Sequence, residues 1–267
     1  MEEISSASNQ RIKLAASLAQ RKHRERMGLF VSEGMRICEM AVMSGWGIEF
    51  GLVTEKCLRS ERGASLVKKI EGRCPLYLVQ ENAYKKASAT ETPQGILLVC
   101  QQKSIGLSEL ELPEKPLLVL LDGVQDPGNA GTIIRTADAA GAAAVILTSG
   151  SVDVFSEKVV RSTMGSLFHL PICQGVAVSE IKAFMQEHGL ELLITALDET
   201  AKPHFAYDMR APMLIAFGNE GSGVSEEVLK MGRKMYIPMA GRAESLNVGV
   251  SAAVVLYEAM RQRHYAK

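Results

Sequence analysis

Leu117-Leu118-Val119-Leu120-Leu121 is an unbroken apolar run that leads, past Asp122-Gly123-Val124-Gln125, into Asp126-Pro127-Gly128-Asn129-Ala130-Gly131-Thr132-Ile133-Ile134-Arg135. Five consecutive apolar residues suit a strand buried on both faces. Asp followed by Pro is the pattern of an N-cap and a first helical residue, so a helix is expected to run from Pro127 through Ala140. A buried strand feeding a helix is the unit from which parallel sheets are built. The alternation continues with strands expected at 143–147, 192–196, 213–217 and 234–237. Helices are expected near 157–164, 178–188 and 225–231, and a long last one from about Asn247 to Arg263. The fold class is therefore α/β, with a parallel sheet covered on both faces.

The front of the chain reads as a smaller α/β unit. Ser8-Asn9 is placed to cap a helix whose apolar positions Ile12, Leu14, Ala15, Leu18 and Ala19 form one stripe. Strands are expected at 51–54, 76–79 and 95–100, with helices near 35–44 and 64–71. Residues 101–115 are polar and closed by prolines at their end, the composition of a linker. The boundary is set near residue 105, giving domains 1–105 and 106–267, and a cut there is expected to leave the second domain folded.

The chain has 267 residues and no net charge, with 30 basic against 30 acidic side chains, a balance that by itself argues against a nucleic-acid partner. The balance hides an asymmetry. Through Lys103 there are 16 Lys and Arg against 11 Asp and Glu, and the remainder is acidic by the same margin. Arg21, Lys22, Arg24 and Arg26 concentrate the positive charge; a solvated helix face and a partner-binding face are both open for this cluster. The five cysteines are odd in number, scattered and without a C-x-x-C pair, so neither a disulfide framework nor a zinc site is indicated and the cytoplasm is the expected compartment. No apolar run reaches the roughly 18 to 20 residues that span a bilayer, and no export leader is seen, so a soluble protein without a membrane partner is expected.

No G-x-G-x-x-G follows the first strand of the second domain, and no Walker pattern occurs, which disfavours a dinucleotide oxidoreductase and a P-loop NTPase. The glycines crowd instead at the exit of a late strand, in Phe217-Gly218-Asn219-Glu220-Gly221-Ser222-Gly223. There they let backbone approach a ligand or simply make a tight turn. Asn129 and Arg135 both start near the carboxyl edge of the sheet, where ligands of open parallel sheets sit. From spacing alone, Arg135 serves an anionic ligand or caps an internal carboxylate such as Asp122 or Asp138.

Three blocks taken together resemble the SpoU–TrmH (SPOUT) family of RNA ribose methyltransferases. They are 121–135, Val160-Arg161-Ser162-Thr163-Met164-Gly165-Ser166-Leu167-Phe168-His169-Leu170-Pro171, and the glycine turn followed by Ile237-Pro238-Met239 and Ser245-Leu246-Asn247-Val248-Gly249-Val250-Ser251. The resemblance implies a C-terminal trefoil knot, S-adenosylmethionine as cofactor and methyl transfer to a ribose 2′-hydroxyl. It places catalytic roles on Asn129, Arg135, Glu220, Ser245 and Asn247, and cofactor contacts on the backbone at Gly218, Ile237 and Leu246. Gly249 departs from the family, in which many members have serine there. In the front domain, Phe30-Val31-Ser32-Glu33-Gly34 and Thr92-Pro93-Gln94-Gly95-Ile96 resemble the L30e-like substrate-binding domain of ribosomal-RNA members. That likeness implies 23S ribosomal RNA as substrate and turns the reading of Arg21, Lys22, Arg24 and Arg26 toward RNA phosphates. The resemblance, with the stripe Val250, Ala253, Val254, Tyr257 and Met260 on the last helix, implies a homodimer formed through the catalytic domain. A non-catalytic RNA-binding or ribosome-assembly factor on the same fold is the alternative.

Overall fold

The computed structural model describes residues 1–265. The chain forms two compact units, one made of Met1–Lys103 with Phe155–Phe168, the other of Ser104–Val154 with His169–Lys267.

Five strands make the sheet of the first unit: β1 (Glu2–Ile4), β2 (Leu29–Glu33), β3 (Ile48–Val53), β4 (Leu76–Val79) and β5 (Ile96–Gln101), in the order β1-β4-β3-β5-β2. β1, β4 and β3 run parallel, and β5 is antiparallel to both β3 and β2. Helices α1 (Gln10–Ser17), α2 (Arg21–Met27), α3 (Met35–Met43), α4 (Glu55–Leu58), α5 (Glu61–Ile70) and α6 (Glu81–Ala87) complete it. Asn9 caps α1 by accepting from the Arg11 N–H, and Ile12, Ala15 and Leu18 are buried, as the apolar spacing predicts. β1, β2, α4 and α6 are additions to the elements expected from the sequence.

Arg24 departs from its expected role. It is 4% exposed, and its Nη1 donates to the carbonyls of Leu18 and Ala19 at 2.7 and 2.8 Å, where α1 ends. A guanidinium engaged by carbonyls at a helix C-terminus is a structural device, because those acceptors have no other partner within the helix. Arg24 therefore leaves the RNA-contact set. Lys22 and Arg26 are exposed, and Arg21 is exposed while bonded to Glu25 at 2.7 Å.

The second unit has one seven-stranded sheet, parallel throughout. Its strands are β6 (Leu117–Asp122), β7 (Ala144–Thr148), β8 (Ile172–Val176), β9 (Glu191–Thr195), β10 (Lys202–Pro203), β11 (Met213–Gly218) and β12 (Arg233–Tyr236), in the order β10-β12-β9-β11-β6-β7-β8. β6 and β11, side by side at its centre, are buried at every residue, which is why both read as continuous apolar runs. Helices α7 (Pro127–Ala139), α9 (Val178–His188), α10 (Glu226–Leu229) and α11 (Val248–His264) belong to this unit, and α8 (Glu157–Ser162) to the first. Asp126 caps α7 through the Asn129 N–H, and Asn247 caps α11 through the N–H groups of Gly249 and Val250.

The expectation of a single cut near residue 105 does not allow for Phe155–Phe168. In the first unit the ring of Phe30 lies 4.9 Å from that of Phe155 and 6.3 Å from that of Phe168, and Trp46 meets Phe168 edge-on at 5.1 Å. Gly165, with φ +108°, brings the segment so close that a Cβ there would lie 2.5 Å from Met40 Cγ. Phe155 and Phe168, with Val159 and Val160 almost wholly buried, are core for the first unit although the chain reaches them only after β7.

Candidate active site

The carboxyl ends of β6 and β11 lie side by side, with Asp122 paired to Gly218 in register. Two loops leave these neighbouring ends, one into α7 and one through the glycine turn, so residues from 123–129 meet residues from 219–223. The third contributor is the N-terminus of α11, which packs on α7. Gly249 permits this approach. It is buried, and a Cβ on it would sit 3.2 Å from both Thr132 Cγ2 and Asn247 Oδ1, tighter than ordinary contact.

Three of the five expected catalytic side chains form one hydrogen-bonded chain. Asn247 Nδ2 donates to Asn129 Oδ1 at 2.9 Å, and Asn129 Nδ2 donates to Glu220 Oε1 at 2.9 Å. Glu220 also accepts from the backbone N–H groups of Asp126 at 3.2 Å and Gln125 at 3.4 Å. Asn247 Oδ1 is occupied by the cap of α11. Burial alone would raise the Glu220 carboxyl, but the bonds from Asn129 and from backbone N–H groups outweigh it and hold the group below its ordinary value.

The sign of that shift gives an expected pH response. A carboxyl depressed by folding adds stability that is present above its unfolded value of about 4.3 and is lost as pH falls through the lower folded value. The side-chain amide resonances of Asn129 should hold steady from neutral pH down to about pH 5 and move only below the usual carboxylate range. A midpoint raised above that range in an NMR titration would mean that burial, not hydrogen bonding, governs Glu220.

Beside this chain lies a cavity of about 620 Å³, of a size suited to a small-molecule ligand. Its walls include Gly218, Ile237 and Leu246, the three expected cofactor contacts, together with Glu220, Ser245 and Asn247. Leu197, Met235, Met239 and Val255 add apolar surface, and Glu244 and Ser251 add polar atoms. Gly218 has a second reason to be glycine: a Cβ there would meet the Gly223 carbonyl carbon at 2.2 Å and the Val224 nitrogen at 2.3 Å. The turn folds back onto the strand end that it leaves.

Arg135 stands apart from this cluster. It lies six residues along α7 from Asn129, about 9 Å of helical rise, and is exposed, with no hydrogen bond or ion pair among the described residues. Capping of an internal carboxylate is excluded, because Asp122 bonds to Thr148 and the Ser225 N–H while Asp138 faces His169 at 3.7 Å. Ser245 is likewise exposed and without a hydrogen-bond partner among the described residues. No cluster of three metal-ligating side chains occurs among the described residues, and all five cysteines are free. Sequence reasoning passed over Asn219 and Ser251 in the cavity wall; Asn219 sat inside the glycine turn, and nothing in the spacing marked its side chain.

The profile described as the SpoU rRNA Methylase family matches residues 116–257, and that of the MRM3-like substrate binding domain matches residues 9–98. Among curated proteins, the chain is similar to the 23S rRNA (guanosine(2553)-2'-O)-methyltransferase RlmP of Bacillus subtilis, 37% identical across 96% of this chain and 98% of that one. It is 32% identical to the 23S rRNA (uridine(2479)-2'-O)-methyltransferase of Streptomyces viridochromogenes across 93% and 88% of the two chains. The crystal structure of an AdoMet-bound rRNA methyltransferase from Sinorhizobium meliloti superimposes with a TM-score of 0.88 at 31% identity, covering 100% of this chain and 99% of that one.

Proposed function

Since the chain belongs to the SpoU rRNA methylase family, we propose that it is an S-adenosylmethionine-dependent methyltransferase acting on a ribose 2′-hydroxyl of 23S ribosomal RNA. The observation that carries this reading is the Asn247–Asn129–Glu220 chain bordering a cavity walled by Gly218, Ile237 and Leu246. A map of 2′-O-methyl sites in 23S RNA from cells with and without the protein tests it. Loss of one site supports the enzyme, and an unchanged map favours the assembly-factor alternative.

The cavity fits the cofactor in volume, in its mix of apolar walls and polar edges, and in the glycine turn that brings backbone to its surface. When bound, S-adenosylmethionine supplies an electrophilic methyl group. The attacking hydroxyl must lose its proton as its oxygen gains charge, so the site needs a proton acceptor or a means of stabilising the developing alkoxide. Glu220 already accepts three hydrogen bonds and orients Asn129, and its carboxylate serves as a frame. Arg135 and Ser245 carry the polar atoms left for substrate. Arg135 holds an RNA phosphate and stabilises the alkoxide, and the hydroxyl proton passes to solvent water at this exposed edge of the site. Ser245 Oγ can donate to or accept from the ribose.

RNA is gripped in part by Arg21, Lys22 and Arg26. Neutralising Lys22 and Arg26 should weaken binding of 23S RNA across sequences and flatten its salt slope by about 0.7 to 0.9 for each phosphate left without its cation, with the melting temperature unchanged. Arg24→Ala should do the reverse, costing about 1 to 3 kcal/mol of stability by orphaning the buried Leu18 carbonyl and the part-buried Ala19 carbonyl while sparing the salt slope. An unaltered slope in the Lys22 and Arg26 variants would remove the α2 face from the RNA site.

The working form is a homodimer. Support comes from α11, where Val250 and Tyr257 are 49% and 48% exposed and Ala253, Val254 and Met260 are only partly buried. Val250→Glu with Tyr257→Glu should halve the mass measured by sedimentation; a native chain that is already monomeric and fully active at assay concentration refutes the dimer. The trefoil knot is part of the same reading, supported by the return of α11 onto α7 and by the shared cavity of 218–223 and 237–247. An experimental trace that leaves this stretch unthreaded overturns it. The reading puts the reaction where ribosomes are, in the cytoplasm. Separately, no helix among the described residues is long and apolar enough to cross a membrane.

A further inference from the structure

The turn that carries Glu220 is held shut by side chains for which the reaction above has no use. Asn219 and Gly223 exchange backbone hydrogen bonds of 2.9 and 3.0 Å, closing the turn on itself. Within it, Asn219 Oδ1 accepts from the N–H groups of Gly221 at 2.9 Å and Ser222 at 3.0 Å, and Asn219 Nδ2 donates to the Gly123 carbonyl at 2.9 Å. On the far side of the turn, the Ser225 N–H donates to Asp122 Oδ2 at 2.7 Å, while Asp122 Oδ1 takes the Thr148 hydroxyl at 2.9 Å. Asp122 is only 6% exposed. A carboxylate removed from water is costly unless strong donors meet it, so its place at the end of β6 calls for a purpose.

Gly123 shows how firmly the anchor is built. Its φ is +69°, and its N–H faces Thr148 Oγ1 and Ser151 Oγ, both at 3.1 Å. The carbonyl to which Asn219 donates is thus on a fixed residue. The turn itself has three glycines, Gly218, Gly221 and Gly223, and without anchors a segment of that composition would sample many conformations. Ordering it at the moment of binding would weaken ligand affinity.

We propose that Asp122 and Asn219 are positioning residues for the cofactor pocket, clamping residues 218–225 to the exit of β6 from both sides. The Gly218 backbone and the Glu220 carboxylate then hold their binding arrangement before any ligand arrives. This rests on the cofactor assignment above, although Asp122 is outside the cavity wall and touches no expected ligand atom.

The test uses the full chain and the variants Asn219→Ala, Asp122→Ala and Asp122→Asn. Calorimetry should show S-adenosylmethionine binding weakened about tenfold or more in both alanine variants, the scale of removing one or two hydrogen bonds to ordered groups. Affinity for transcribed 23S RNA should stay within about twofold, since backbone phosphate contacts dominate it. Asp122→Asn keeps an acceptor for the Ser225 N–H and should recover most of the loss, which a merely volume-filling role would not predict. In the ligand-free protein, hydrogen exchange at Gly221 and Ser222 should quicken in Asn219→Ala, and at Ser225 in Asp122→Ala. Should an alanine variant fail to fold, Asn219→Ser keeps a short acceptor, loses the reach to Gly123 and should move affinity and exchange in the same direction. Folded variants that bind S-adenosylmethionine like the parent, with unchanged exchange, overturn the clamp. If the parent itself takes up no S-adenosylmethionine, the cofactor reading falls and the exchange rates still decide the clamp.

Discussion

Arg135→Ala should leave S-adenosylmethionine affinity within about twofold while lowering single-turnover methyl transfer by at least about a hundredfold, the scale seen when a preorganised charge is removed from a developing oxyanion. The reason is its position. Arg135 lies outside the cavity wall, is exposed, and has no hydrogen bond or ion pair among the described residues, so no internal contact is broken by its removal. The variant's melting temperature should therefore be that of the parent. Arg135→Lys should remain severely impaired, because an ammonium cannot reproduce the two-pronged hold of a guanidinium on phosphate. Rapid-quench measurement at saturating RNA separates chemistry from binding. A normal rate in the alanine variant would move the catalytic charge elsewhere.

A chain cut to residues 104–267 should lose cooperative unfolding at the parent temperature and should bind a hydrophobic dye. This reverses the expectation that a cut near 105 leaves an intact second domain. The cut strips the cover from Phe155, Val159, Val160, Leu167 and Phe168, each at most 5% exposed in the whole protein. Burying a large apolar side chain is worth about 1.5 to 3 kcal/mol, so exposing five of them competes with the whole stability of an ordinary domain. In the full chain, Phe30→Ala should cost about 3 to 5 kcal/mol, because the ring touches both Phe155 and Phe168 and leaves a cavity between them. Calorimetric scans of both proteins check this. A truncated chain that melts cooperatively within a few degrees of the parent would show that the segment finds cover elsewhere.

What the sequence disclosed was the local grammar. Asp126-Pro127 announced α7, Asn9 announced α1, and the apolar runs at β6 and β11 gave the buried strands, since caps and burial act over a few residues. The site residues were legible through their resemblance to a family, and the structure brings Asn129, Glu220 and Asn247 into one chain although Asn129 and Asn247 are 118 positions apart. The inward turn of Arg24 was not legible, because charge counting does not tell which arginine of a cluster faces a helix end. β1 and β10 were missed for want of length, at three and two residues. The clamp by Asp122 and Asn219 depends on which strand ends lie side by side, and strand order is a property of the whole sheet. Gly249 finds its reason in the closeness of Thr132 and Asn247.

The interleaved first unit also sets a timetable for synthesis. A ribosome delivers Met1–Lys103 long before Phe155–Phe168, yet the two belong to one core. Phe30 and Trp46 therefore leave the exit tunnel with their partner rings not yet made. At roughly 5 to 20 residues per second the interval is on the order of several seconds, far longer than the microseconds in which short chains collapse. During that interval the nascent chain shows an apolar seat to its surroundings, a natural place for a chaperone to stand. Residues 155–168 complete the first unit, so a chain released before residue 168 cannot finish even its front unit.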